Sequence, residues 1–174
     1  MPSWAVWSHN VHRANHSAPA MEWNETIAGY ASLTADKCVF AHDMSEGNGG
    51  YGQNLAMWGT TDNPEALGDA GAIKMATSDM WYNGEFNKFL PEFYGQADPN
   101  KSDFESWGHF SQLLWVDSTG LGCSVKLCAK GTMFNDMEAW FMVCNYYPAG
   151  NFEGAYGDNV KKPEGKPVIT STSE

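Results

Sequence analysis

The sequence is short of basic residues and of long apolar runs, and each shortage narrows what the protein can do. Ten Lys and Arg stand against 21 Asp and Glu, a formal net charge of -11, and the one basic doublet is Lys161-Lys162. A field of that sign repels phosphate backbones and anionic bilayers, so no nucleic-acid partner is expected. No apolar stretch approaches the ~20 residues of a membrane span, and the first residues lack the charged-then-apolar pattern of a secretory leader. A secreted form is therefore expected to have lost its leader. No G-x-S-x-G occurs, and no Lys follows the glycine-rich stretch in phosphate-loop position, so neither a nucleophile elbow nor a phosphate cradle is expected.

Cysteine is sparse as well: Cys38, Cys123, Cys128 and Cys144 are the only four, an even number that permits three disulfide pairings. Cys123 and Cys128 lie in the alternating segment LGCSVKLCA, where an odd spacing puts their side chains on opposite faces of a strand. They are expected to bond to different partners. Zinc held by four thiolates is the competing reading, but the close C-x2-C pairs such a site uses are missing.

Aromatic residues, by contrast, are plentiful. They make up 14% of the 174 residues and include eight Trp, so either some rings line a cavity or the core is Trp-rich. The length fits one domain with a full core. Three sequons, beginning at Asn15, Asn24 and Asn100, are compatible with export.

Along the chain, Trp4, Trp7, Val11 and Ala14 recur at helical spacing, and Pro19 ends that pattern. A second helix is signalled by Asn24 as N-cap and by Ile27, Tyr30, Ala31 and Thr34 along one face, running toward Cys38. DMSEGNGGY, from Asp43, reads as a loop in which Gly49, Gly50 and Gly52 supply positive φ or close backbone approach. After Pro64, one short and one longer helix are expected, the latter including Ala72, Ile73, Ala76 and Met80. The prolines and polar residues between Phe86 and Trp107 predict a long aromatic loop. Leu121 to Ala129 and Glu138 to Tyr146 alternate as the strands of a hairpin. From about Gly157 the sequence reads as an extended or frayed polar tail, so the domain is expected over 1–156 and the tail over 157–174.

Two segments resemble the signatures of one family: GHFSQLLW, Gly108 to Trp115, and FMVCNYYPAGN, Phe141 to Asn151. With the LGC element at Leu121, HNVHR near the start, ADKC ending at Cys38, His42, and YGQNL from Tyr51, they identify the chain as resembling the CAP superfamily, in particular fungal secreted proteins of the pathogenesis-related type. The resemblance covers residues 4 to 152. It implies an α+β fold, a three-layer α-β-α sandwich around a central antiparallel sheet, with disulfides Cys38–Cys128 and Cys123–Cys144. It also implies secretion.

In that family a central cleft holds two His and two acidic residues, and the carry-over gives His42 and His109 for the first pair. Converging neutral imidazoles suit a weakly held divalent metal such as zinc, and no cofactor is required. The first acidic position is Gln53 here, an amide that cannot titrate. The second is expected three residues after Trp81, where the chain has Gly84; Glu85 lies one residue further on. On an α-helix that shift rotates the side chain by about 100°, away from the cleft unless the helix ends or bulges at Gly84. One acid neutralised and the other displaced argue against acid-base chemistry, so no enzyme is expected.

The family implies a lipid ligand at one of two places. A sterol would meet the aromatic loop, at Phe89, Phe93, Tyr94, Phe104 and Trp107; a fatty acid would lie in a groove where Trp4, Trp7 and Val11 face Ala72, Ala76 and Met80. The alternative for the rings is cover for the sheet edge, and for the alanines, close helix packing. Two other readings of function stand beside lipid binding: a secreted interaction protein that meets a host or partner surface, and a metal-dependent hydrolase, which Gln53 disfavours.

Overall fold

Along β4 (Glu138–Tyr147), Trp140, Met142, Cys144 and Tyr146 join one apolar cluster, whereas Phe141 and Val143 join another. That period of two is the alternation of a strand buried on both faces, and it divides the molecule into layers. The computed structural model describes residues 1–173. On one face of the sheet lies α2 (Glu25–Ala35), packed through Ala31 and Ala35 against Phe141 and Val143. The other face is covered by α1 (Pro2–Ala14), α3 (Gly68–Lys74) and α4 (Gly108–Leu114), whose Ala5, Ile73 and Phe110 enter the larger cluster. This is the α-β-α sandwich the sequence predicts.

The sheet order is β1-β3-β4-β2, with β1 at Glu22–Trp23, β2 at Gly52–Thr60 and β3 at Gly120–Cys128. The three long strands are antiparallel, as expected, but the two residues of β1 pair parallel with β3 and make the sheet mixed. Both disulfides form as implied. Cys123–Cys144 ties neighbouring strands inside the larger cluster, and Cys38–Cys128 ties the end of the α2 segment to the opposite face, a loop of 90 residues.

Helix α2 starts where its cap predicts: the Asn24 side chain accepts hydrogen bonds from the amides of Thr26 and Ile27. In α1 the expectation is corrected. Trp4 is 40% exposed and Ala14 is exposed, while the inward face consists of Ala5, Ser8, His9, His12 and Arg13. This polar face is buried because its partners are built in. Arg13 donates to the carbonyls of Pro19, Leu113, Trp115 and Ser118, and His9 pairs with Ala5 O and the Tyr146 hydroxyl. Desolvation holds His9 and His12 down to about 3, so both are neutral.

Helix α3 runs directly into a π-helix, Met75–Asn83, whose widened turns are closed by the Gly84 amide donating to Asp79 O, five residues back. The core also extends past the boundary expected at 156: Tyr156 opens α5 (Tyr156–Asn159), and Tyr156 and Val160 are each 1% exposed. Among the described residues no helix is long and apolar enough to cross a membrane.

Candidate functional site

A cavity of about 450 Å3 opens between residues 40–42, the start of β2 and residues 104–109. Its polar groups come from separate parts of the chain: His42 from the loop before β2, Gln53 and Asn54 from β2, and His109 from α4. His109 sits in the first turn of α4, and its Nδ1 lies 2.6 Å from Glu85 Oε1, just beyond the π-helix. Glu85 Oε2 accepts from the Phe110 amide at 2.8 Å, so both carboxylate oxygens are engaged. The one-residue displacement of Glu85 is thus absorbed: a π-helix accommodates one more residue than an α-helix over the same length, and the rotation that would point Glu85 away is undone. Gly84 is needed for this, since a Cβ there would meet Met80 O at 2.4 Å.

Gln53, 8% exposed, uses its whole amide. Its Oε1 accepts from the Asp43 amide at 3.0 Å and faces His42 Nδ1 at 3.1 Å; its Nε2 donates to Asp43 O and Asn145 Oδ1, each at 3.0 Å. An amide oxygen only accepts, so His42 must carry its proton on Nδ1. The Glu85 carboxylate fixes the same tautomer in His109. Neither ring has a partner for Nε2 among the described residues. Two imidazoles on the rim of one cavity, each oriented through Nδ1, therefore keep Nε2 free.

Several further residues complete the site, and Asn54, Asn151, Gln112, Phe40 and Leu55 were not singled out from the sequence. Asn54 donates to His109 O at 3.0 Å and Asn151 to Gly108 O at 2.9 Å, pinning the backbone that presents His109. Gly52 makes room for Gln112: a Cβ there would meet Gln112 Oε1 at 2.0 Å. Phe40, 50% exposed, and Phe104 form apolar walls over Leu55, and Glu105 lies on the rim. Within the YGQNL and YPAGN motifs Asn54 and Asn151 were visible as residues, but nothing in their spacing points to the α4 carbonyls.

Of the five loop rings, Phe104 alone lines the cavity. Phe89 and Trp107 are 2% and 1% exposed, and Phe93 and Tyr94 pack on them, with Phe89–Tyr94 centroids 4.9 Å apart and Phe93–Trp107 5.9 Å. These four satisfy one another as a cluster that covers α4 and Tyr156 instead of offering a platform. The helix groove is corrected similarly. Ala72 and Ala76 are fully buried with Ala5, the close packing that small residues allow. Trp4 and Trp7 hold the Lys74 ammonium, 4.9 and 5.5 Å from their ring centroids, and Met80 is half-buried against the core. Val11 lines a separate cavity further along.

For a metal, the cleft offers two oriented nitrogens, which is half of a zinc shell, with Glu85 and Gln53 as the groups that orient them. Among the described residues the one cluster of three ligand-type side chains is His9, Cys123 and Cys144, and its sulfurs are joined in a disulfide and cannot act as thiolates. Among the described residues no free carboxylate except exposed Glu105 lines the cleft.

A disulfide-stapled α-β-α sandwich with paired histidines at one cleft defines a class of small cleft-bearing domains. The family model of the cysteine-rich secretory protein family, CAP, matches residues 7–146, and the chain belongs to that family. It is 40% identical over 95% of its length to a probable pathogenesis-related protein of Arthroderma benhamiae, covering 50% of that protein. It is 29% identical over 90% of its length to the secreted protein RBT4 of Candida albicans, covering 39% of it. The chain thus spans about half the length, or less, of these relatives. The crystal structure of NaASP2 with Zn2+ has the same fold, with a TM-score of 0.63 at 24% identity over 88% of this chain and 82% of that one.

Proposed function

We propose that this is a secreted, non-catalytic protein that binds a small amphipathic lipid, a fatty acid or a sterol, in the cleft between Phe40 and Phe104. The observation that carries the reading is the cleft's mixed lining, the apolar Phe40, Phe104 and Leu55 together with the polar His42, His109 and Asn54. A cavity of about 450 Å3 lies within the range of small-molecule sites. Apolar burial supplies about 25 cal/mol per Å2, and the free Nε2 groups accept from a hydroxyl or a protonated carboxyl head. Acid-base catalysis is disfavoured because Gln53, at the first acidic position, cannot titrate. Secretion rests on the family and on the two disulfides, which persist in oxidising compartments.

The test is side-by-side binding of a radiolabelled sterol and a radiolabelled fatty acid to the purified, oxidised protein and to Phe40→Ala and Phe104→Ala. Neither ring is buried, so both variants should fold. At least one lipid should bind, about tenfold more weakly to each variant. Binding that survives both substitutions would move the site elsewhere, and no binding of either lipid would leave the interaction-protein reading in its place.

A weakly held zinc ion at His42 and His109 is a second reading, favoured by the two oriented imidazoles. Two protein ligands are fewer than the three of catalytic zinc sites, so the ion would be labile and the hydrolase reading stays disfavoured. Calorimetric titration with zinc should show binding that His109→Ala abolishes and Glu85→Gln weakens 10- to 100-fold. An unchanged isotherm in His109→Ala would remove this reading.

A further inference from the structure

Beyond Val160, which is 1% exposed, none of residues 161–173 is buried, yet the segment does not fray. It runs without helix or strand across the open side of α1 and the π-helix, and the body holds it at regular intervals. His16 Nδ1 donates to Lys161 O at 2.6 Å. The Glu164 amide donates to Asn15 O at 2.7 Å, and the Lys166 amide to Asn15 Oδ1 at 2.9 Å. Further along, Asn83 Nδ2 donates to Ile169 O at 2.8 Å, the Ser171 amide donates to Asp79 Oδ1 at 2.9 Å, and Lys74 Nζ donates to Ser173 O at 2.8 Å.

These six contacts read backbone atoms of the segment, and three more run through its side chains: Glu164 accepts from the Ser17 hydroxyl, Lys166 Nζ donates to Ala14 O, and the Ser171 hydroxyl donates to Asp79. That is how an extended peptide is recognised, main chain first and side chains second. Beneath it lies a cavity of about 350 Å3 with Val11, Tyr82 and Phe86 on the body side and Pro163, Pro167 and Ile169 on the other. The exposed side chains and scarce apolar contacts put the segment at the low-stability end of the molecule, whereas the helices under it are fixed by buried residues such as Ala5, Ala76 and Arg13.

We propose that the face formed by α1 and the π-helix is a receptor for an extended peptide, that its occupant is the chain's own residues 161–173, and that lifting this strap opens the cavity beneath while the helices stay in place. Val160 is the fixed end and Lys161 the start of the movable part. The inference does not rest on the lipid reading of the cleft. It does change what the expected acyl groove means, since the cavity beside α1 at Val11 lies under the strap, and Ala72 and Ala76 are fully buried.

The test uses the full chain with Val11→Cys, a thiol on the cavity wall, and reads its rate of alkylation by a maleimide. Asp79→Ala with Asn83→Ala removes the partners of Ser171 and Ile169 and should speed labelling at least tenfold. Lys166→Pro with Ser171→Pro deletes two strap amide donors, together with the Lys166 ammonium contact to Ala14 O and the Ser171 hydroxyl contact to Asp79, while leaving every helix residue unchanged; it should give the same acceleration, which covers the case in which the first pair disturbs folding. Hydrogen exchange should find the amides of Glu164, Lys166 and Ser171 protected in the parent and released in the first variant, and the Glu164 amide released in the second, with β4 unchanged. Equal labelling rates in parent and released chains, or strap amides that exchange in the parent as fast as in a free peptide, would overturn the proposal.

Discussion

At the scale of the residue, the cleft depends on one side chain that cannot titrate where its position suggests an acid. Gln53 is a pin: its amide joins the loop before β2 to Asn145 on β4, and Asn145 in turn donates to Ile27 O on α2. Gln53→Ala would leave Asp43 O and Asn145 Oδ1 without that donor, and it should cost about 1–3 kcal/mol in a denaturant titration. The buried histidines make the other prediction. Burial holds His9 and His12 down to about 3, against 6.5 when the chain unfolds. A depressed pKa means the unfolded chain takes up protons that the native one refuses. Stability is therefore full above about pH 6.5 and falls as pH drops from there toward 3, by up to about 1.4 kcal/mol per pH unit for each ring. Melting temperatures measured between pH 7 and 4 should fall, and His12→Asn should flatten the slope; a flat profile in the parent would contradict the burial of these rings.

At the scale of the element, the π-helix decides whether the cleft has an acid at all. Gly84→Ala would drive a methyl against Met80 O at 2.4 Å, so we expect a loss of about 1–3 kcal/mol, read as a lower melting temperature. This element also marks where the sequence was legible and where it was not. Helix α2 could be read from its Asn24 cap, and β3 and β4 from strict alternation, because those signals are local. The displaced Glu85 could be read too, with the bulge as the condition for its return to the cleft. The π-helix itself had no signature, since i+5 bonding serves the tertiary fit at His109 more than any local preference. Strand β2 was missed because Gly52 and Gly59 break its pattern, and only the contacts of the fold explain them: a Cβ on Gly59 would strike Phe134 at 2.8 Å. The apolar stripe of α1 misled, because Arg13, His9 and His12 find buried partners more than 60 residues away in sequence.

At the scale of the whole molecule, the sandwich is closed by two disulfides of unequal reach. Cys38–Cys128 spans 90 residues and Cys123–Cys144 spans 21. In the chain-entropy model the first contributes roughly 4.6 kcal/mol and the second roughly 3.3 kcal/mol. Cys38→Ala with Cys128→Ala should therefore lower the denaturant midpoint more than Cys123→Ala with Cys144→Ala. The reverse order would place the stabilising effect in the native strand pair instead of in the unfolded chain. The same architecture separates two cavities on the molecule, one at the cleft and one under the strap, and the histidines mark them apart: His42 and His109 line the first, His12 the second.

That separation allows one measurement to test the central claim, that the cleft is the ligand site. Nitrogen-15 spectra of the imidazoles, recorded while dodecanoic acid is added to the intact protein, should show the Nε2 signals of His42 and His109 moving and saturating together, with saturation in Phe104→Ala needing about tenfold more ligand. Movement of His12 alone, or of no histidine, would contradict a lipid site in the cleft.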